Sequence, residues 1–158
     1  QLLDRAREMG FTLRTTFIVG FPGETDEQFA RLMDFVREIQ FDRLGAFTYS
    51  PEEDTPAARM DGQIPEEIKQ KRLDELMTAQ QAISLERNRL RIGTEEKVLV
   101  ETVGGKGHGV GRSAQEAPDT DGVIKLTGVS EADLGQFVRA RITDAEVYDL
   151  RAERIRED

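Results

Sequence analysis

At 158 residues, with 37% hydrophobic and 34% charged side chains, the chain is long enough for one compact domain or two small ones with modest cores, and no apolar run reaches the ~18 residues of a membrane helix. The absence of Cys excludes disulfides and thiolate metal sites, and the lone His108 lies in a glycine-rich stretch, which argues against a nucleophilic triad. A formal net charge of −9 argues against a general grip on nucleic acid, where phosphates are neutralised by Lys and Arg, and suits a basic protein partner or nothing more than solubility.

The chain opens Gln1-Leu2-Leu3-Asp4-Arg5, which reads as the middle of a helix without an initiating Met, so we expect a segment of a longer polypeptide. Residues 1–10 close that helix with Gly10 just past its end. Residues 13–20 then form an apolar, β-branched run that reads as a buried parallel strand, followed by the turn Gly20-Phe21-Pro22-Gly23. Thr25 and Gln28 make a capping-box pattern, and Phe29, Leu32, Met33, Val36 and Ile39 follow at helical spacing. Such a strand–turn–helix puts the turn at the carboxyl end of the strand, where ligands of α/β folds bind. Gly20 and Gly23, lacking a Cβ, let a ligand approach the backbone. From these residues alone, a ligand edge and a plain tight turn both remain open.

A second strand over residues 42–50 ends at Pro51, so the order helix, strand, helix, strand predicts a right-handed parallel βαβ unit. Its two strands leave sheet edges unpaired, which predicts either pairing between copies or marginal stability. The acidic loop Pro51-Glu52-Glu53-Asp54-Thr55-Pro56 has no calcium-loop spacing and reads as solvated. Pro65, Glu66 and Glu67 start a long helix that Gly93 stops, with Ile68, Leu73, Leu76, Met77, Ile83 and Leu90 as its expected apolar seam.

The character changes at Gly93, and nine of the 14 glycines lie beyond residue 92. Short alternating runs at 97–101, 110–112, 122–126 and 137–142 are separated by turn signals, and residues 147–150 suggest a final strand packing Tyr148 against the others. About five strands in some sixty residues suggest a small antiparallel barrel of the OB kind. The Gly104-Gly105-Lys106-Gly107-His108-Gly109 stretch lacks the strand–turn–helix context of a phosphate loop and reads as a hairpin tip, with His108 a solvated turn residue. Arg112, Lys125, Arg139 and Arg141 form either a small basic face or, with acids interspersed, a mixed solvated surface, which we favour.

Three stretches carry a family resemblance. Leu13-Arg14-Thr15-Thr16-Phe17-Ile18-Val19-Gly20-Phe21-Pro22-Gly23-Glu24-Thr25, Phe47-Thr48-Tyr49-Ser50-Pro51-Glu52 and Gln80-Gln81-Ala82-Ile83-Ser84 resemble the methylthiotransferase branch of the radical S-adenosylmethionine enzymes, and the C-terminal barrel resembles a TRAM domain. The resemblance implies an α/β part followed by an all-β part. Residues 1–92 would be the C-terminal portion of a partial (β/α) barrel. Residues 93–158 would be the TRAM domain, an OB-like five-stranded antiparallel barrel. It also implies an S-adenosylmethionine site on this chain. Ile18, Gly20 and Glu24 fill the family's G-x-I-x-G-x-x-E-like strand, with Thr16 in place of its first Gly and Glu24 one place late. Backbone groups of Phe47, Thr48 and Tyr49 fall where the next strand meets adenine, and Asp54 stands where the family often has Gly.

The intact enzymes carry two 4Fe-4S clusters, but the family's CxxxCxxC is absent here, so no thiolate of this chain can hold one. We therefore expect no catalytic and no metal-binding residue on this chain, and no activity from it alone. Gly111-Arg112-Ser113-Ala114-Gln115-Glu116-Ala117-Pro118-Asp119-Thr120-Asp121-Gly122 and Val147-Tyr148-Asp149-Leu150 resemble the members that methylthiolate an aspartate β-carbon of small-subunit ribosomal protein S-twelve. The resemblance then implies a cytoplasmic enzyme, no membrane, and a TRAM domain that docks that protein. Two alternatives are a tRNA-modifying member whose TRAM domain binds RNA, and a non-catalytic TRAM binding module.

Overall fold

The computed structural model describes residues 1–156. They divide into two compact units between Ile83 and Ser84, within one long helix.

The first unit runs α1 (Leu2–Glu8), β1 (Arg14–Val19), α2 (Asp26–Ile39), β2 (Arg43–Thr48) and most of α3 (Glu66–Arg89). β1 and β2 pair in parallel from Arg14↔Arg43 to Val19↔Thr48, as the strand–helix–strand order requires. α2 starts where the sequence signals it: Thr25 Oγ1 accepts the Gln28 N–H at 3.2 Å, and Gln28 Oε1 accepts the Thr25 N–H at 3.0 Å. Alternation along the strands sorts their side chains. Phe17, Val19, Leu44 and Ala46 pack with Phe29, Met33, Val36, Leu76 and Ile83 into the core of this unit. Thr16, Ile18, Gly45 and Phe47 share the other face, which no helix of the unit covers.

α3 departs from expectation. Of its expected apolar seam, Leu76 and Ile83 are buried, but Ile68 and Leu90 are exposed. The buried stripe is instead Lys69, Arg72, Leu76, Gln80, Ile83, Ser84 and Asn88, a helical spacing made largely of polar residues. Each of these polar side chains donates to a backbone or carboxylate partner, while the buried Gln80 Oε1 has no partner among the described residues. The helix also ends at Arg89, before Gly93, which takes φ +87° in the turn that follows.

The second unit is a closed barrel of β3 (Glu95–Val103), β4 (His108–Arg112), β5 (Ile124–Thr127), β6 (Phe137–Ala145) and β7 (Leu150–Arg154), in the order β3-β4-β5-β7-β6 and back to β3. Five strands close as an OB-like barrel, but the set is mixed: β7, antiparallel to β6, lands alongside β5 and runs parallel to it. Inward residues Val98, Val100, Ile124, Leu126, Val138, Ala140, Ile142, Leu150 and Ala152 fill the interior. Gly111 is required there, because a Cβ would sit 2.2 Å from the Leu99 carbonyl oxygen of the paired strand. The last strand begins at Leu150, so Val147, Tyr148 and Asp149 form a bend before it. Tyr148 is 47% exposed rather than packed, because the Tyr148 backbone turns against Gly122, where a Cβ would lie 2.1 Å from the Tyr148 carbonyl oxygen. Lys106 takes φ +63° in a short turn joining β3 to β4, making the glycine cluster a hairpin tip, with His108 exposed at the first position of β4.

Candidate functional site

The carboxyl ends of β1 and β2 bring most of the expected binding residues together. Ile18 and Phe47 are register partners and lie side by side on the uncovered face, 58% and 63% exposed, with Thr16 and Gly45 one step behind them. Two large apolar side chains left open on a rigid sheet make a flat shelf of the kind an aromatic ring occupies. Thr48 differs: its side chain turns to the helix side, opposite Val19. Its main chain is the useful part. Tyr49 N donates to Val19 O at 2.8 Å and Arg43 N to Leu13 O at 3.1 Å, so odd-numbered residues of β2 bond to β1. By alternation, Thr48 presents its N–H and C=O to the open edge of β2.

Gly20, Glu24 and Tyr49 are engaged internally. Gly20 takes φ +74°, and a Cβ there would meet Lys69 Cγ at 2.4 Å, so the glycine makes room for a lysine stem. Glu24 Oε1 accepts the Gly20 N–H at 3.0 Å and a hydrogen from Arg72 Nη1 at 2.7 Å. Arg72 Nη2 reaches Asp26 Oδ1, also at 2.7 Å. Tyr49 is buried, its ring edge-on to Phe21 with centroids 5.2 Å apart, and its carbonyl accepts from Lys69 Nζ at 2.8 Å. At Gly23 the reading of open access is met: nothing lies within 4 Å of a Cβ built there. Asp54, in the acidic loop, adopts φ +66°, the left-handed conformation that glycine takes most easily, and pairs with Arg59 at 3.2 Å.

On the barrel, all four basic residues considered for a small basic face are paired with acids, as the favoured mixed surface requires. Arg112 meets Glu101, Lys125 meets Glu146 and Asp149 at 3.1 and 2.9 Å, and Arg139 and Arg141 share Glu95. These contacts hold Glu95 and Glu146 below the usual carboxylate range, through hydrogen bonds from Arg141 and Arg151 foremost, and raise Lys125 through its bond to Asp149. The loop between β4 and β5 is braced from inside. Arg91 grips Glu96 with two nitrogens at 2.9 and 2.7 Å and reaches Glu116 at 2.5 Å, while Glu116 Oε2 accepts the Ser113 N–H and hydroxyl at 2.9 and 2.8 Å. Burial pushes the Glu116 carboxyl up, but the Arg91 and Ser113 hydrogen bonds outweigh it and hold it below its usual range.

Lys69, Arg72 and the Arg91–Glu96–Glu116 cluster were not singled out from sequence. The one signal for the first two was spacing: residues 69, 72, 76, 80 and 83 form a stripe through two apolar positions, and polarity disguised it as a solvated face. Among the described residues, no three His, Asp or Glu side chains gather where they could hold a metal ion.

Comparison with known proteins agrees with this architecture. Residues 92–155 match the TRAM domain family. The curated ribosomal protein uS12 methylthiotransferases RimO of Syntrophotalea carbinolica, Desulforamulus reducens and Bordetella pertussis are 53%, 49% and 48% identical over 92%, 91% and 91% of this chain. The aligned part is 32%, 33% and 33% of those proteins, so the chain spans about a third of the length of the curated relatives it matches. With about half of its positions shared across nine-tenths of its length, and a TRAM domain match over residues 92–155, the chain is similar to a segment of about one third of the length of these RimO methylthiotransferases.

Proposed function

We propose that this chain is the C-terminal part of a radical S-adenosylmethionine methylthiotransferase acting on ribosomal protein uS12, and that it supplies the adenine side of the cofactor site and the substrate-docking TRAM domain. The observation that carries the reading is the Ile18–Phe47 shelf at the carboxyl edge of a two-stranded parallel sheet, flanked by the outward main chain of Thr48. An adenine ring is planar and apolar on its faces and carries donors and acceptors on its edge. The shelf matches the faces, and one N–H and one C=O match the edge. Thr16 lies one step behind the shelf. Gly20 and Glu24 shape the turn beside it. When bound, S-adenosylmethionine supplies the radical chemistry of the family. The iron–sulfur clusters do not fit the residues present, since the chain has no Cys.

For the docking partner, charge supports one choice. A segment of net −9, with Arg112, Lys125, Arg139 and Arg141 each paired with a carboxylate, supports a basic ribosomal protein over tRNA, in a cytoplasmic setting. Titrating the chain with purified uS12 and with tRNA over a salt series tests this. Saturable binding of uS12 is the expected result. Tight tRNA binding that weakens steeply with salt would overturn it in favour of the tRNA-modifying reading. Perturbation of Ile18 and Phe47 resonances by S-adenosylhomocysteine tests the shelf, and its absence would leave the TRAM domain as a binding module.

A further inference from the structure

Both strand ends that form the candidate edge are tied to one short stretch of α3. Lys69 is 5% exposed. Its stem lies over Gly20, and its ammonium donates to the Tyr49 carbonyl at 2.8 Å and to Glu66 at 3.0 Å. One turn further on, Arg72 is 6% exposed and binds Glu24 and Asp26, which flank the Thr25 cap of α2. Glu24 passes that hold to the Gly20 amide, so Arg72 fixes the end of β1 while Lys69 fixes the end of β2. The turn is cinched further by Gly23 N donating to Gly62 O and Glu24 N to Phe21 O, both at 2.9 Å.

Burying two cations is an expensive way to pack a helix on a sheet, and apolar side chains of similar volume commonly do as well or better. What charged, directional groups add is geometry: a lysine or bidentate arginine fixes where a carbonyl and a carboxylate sit, which a methionine does not. We infer that Lys69 and Arg72 are positioning residues for the carboxyl edge, setting the spacing and height of the β1 and β2 ends for the ligand that lies across Ile18 and Phe47. The inference rests on the adenine-side reading for the identity of that ligand, but not for the clamp itself.

Two variants test it without leaving a buried charge unpaired: Lys69→Met, whose partner Glu66 is largely exposed, and Arg72→Met combined with Glu24→Gln. Leu76→Val, on the same buried stripe, is the structural control. In the chain itself, amide exchange at Gly20 is expected to rise about ten- to a hundredfold in the Arg72→Met/Glu24→Gln variant, matching loss of a charge-assisted hydrogen bond. Exchange in residues 49–51 is expected to rise in Lys69→Met. Leu76→Val should lower the melting temperature and leave both unchanged. Titration with S-adenosylhomocysteine, read at the Ile18 methyls, is expected to need several times more ligand in both positioning variants than in Leu76→Val. Arg72→Lys should recover part of the loss. Unchanged exchange at Gly20 and at residues 49–51 would overturn the clamp. If exchange rises as expected while S-adenosylhomocysteine leaves Ile18 unmoved even in the unsubstituted chain, the clamp stands and the adenine reading falls. Equal ligand affinity in the positioning variants and the control, with Ile18 responding in the unsubstituted chain, would overturn the positioning role.

Discussion

The two compact units solve the same problem, a small sheet with apolar residues to hide, in opposite ways. The barrel closes on itself, so each strand has two neighbours and its buried strand residues point inward. The α/β unit covers one face of a two-stranded sheet and leaves Ile18 and Phe47 bare on the other. Its helix is fastened by Lys69, Arg72 and Gln80 rather than by an unbroken apolar seam. Closure gives rigidity from packing alone. An open sheet keeps a face for something else, and must borrow polar pins to hold its edge still.

The contrast is broken most sharply at Arg91. Its side chain and those of Glu96 and Glu116 are nearly buried, at 11%, 11% and 2% exposure, so Arg91→Met removes a guanidinium that both carboxylates hold. Removing one partner of a buried pair costs about 3–5 kcal/mol, and we expect denaturant unfolding of the barrel to shift by that amount. Amide protection at Val19 and Val36 in the other unit should hold. A shift under about 1 kcal/mol would show that the cluster is ornamental to the barrel. The same deletion in both cores sharpens the comparison next. Leu126→Ala and Leu76→Ala each remove a fully buried leucine, and each should cost about 2–5 kcal/mol. The barrel should lose more, because a closed wall cannot collapse around the cavity as a helix packed on an open sheet can. Equal losses would remove that mechanical distinction.

Local signals carried the fold where chemistry and structure coincide. The Thr25–Gln28 box and the glycine hairpin tip are decided by neighbouring residues and are found as read, whereas the β-branched run forms strand β1, of which only Val19 is buried, its other face being open. The parallel β5–β7 pair was not legible, because it joins strands 26 residues apart whose own alternation fits an antiparallel neighbour equally well. The α3 stripe was hidden for a different reason. Burial of Lys69 and Arg72 depends on a carbonyl and a carboxylate 20 and 48 residues away, and charge in a helix reads as solvent-facing until those partners are known. At the candidate edge, Ile18 and Phe47 were legible from the strand pattern and the resemblance. The inward commitments of Gly20, Glu24 and Tyr49 were not, since each is set by a group on α3.

A smaller effect comes from acid. Glu116 ionises below its unfolded value of about 4.3, so its pairing contributes stability that is fully present above that pH and lost as pH falls through the folded value. Each unit of depression corresponds to about 1.4 kcal/mol. We expect the barrel's unfolding free energy to decline below about pH 4.3, and Glu116→Gln to flatten that decline while lowering the neutral-pH plateau. An acid limb unchanged by the substitution would assign the loss to other carboxylates.

The smallest change is expected where intuition about apolar residues predicts a large one. Ile18→Ser and Phe47→Ser replace two big hydrophobic side chains, yet both are more than half exposed and contribute little to the core beneath them. Each should move the unfolding free energy by no more than about 0.5 kcal/mol, as surface substitutions do. Their neutrality would mean that the residues are kept on the open face for contact rather than for folding. A loss approaching that of Leu76→Ala would mean instead that the face is covered in solution. The partner would then be a second copy of the chain, and the loss would depend on protein concentration, whereas a shelf that is open in the free chain gives the same small value at every concentration.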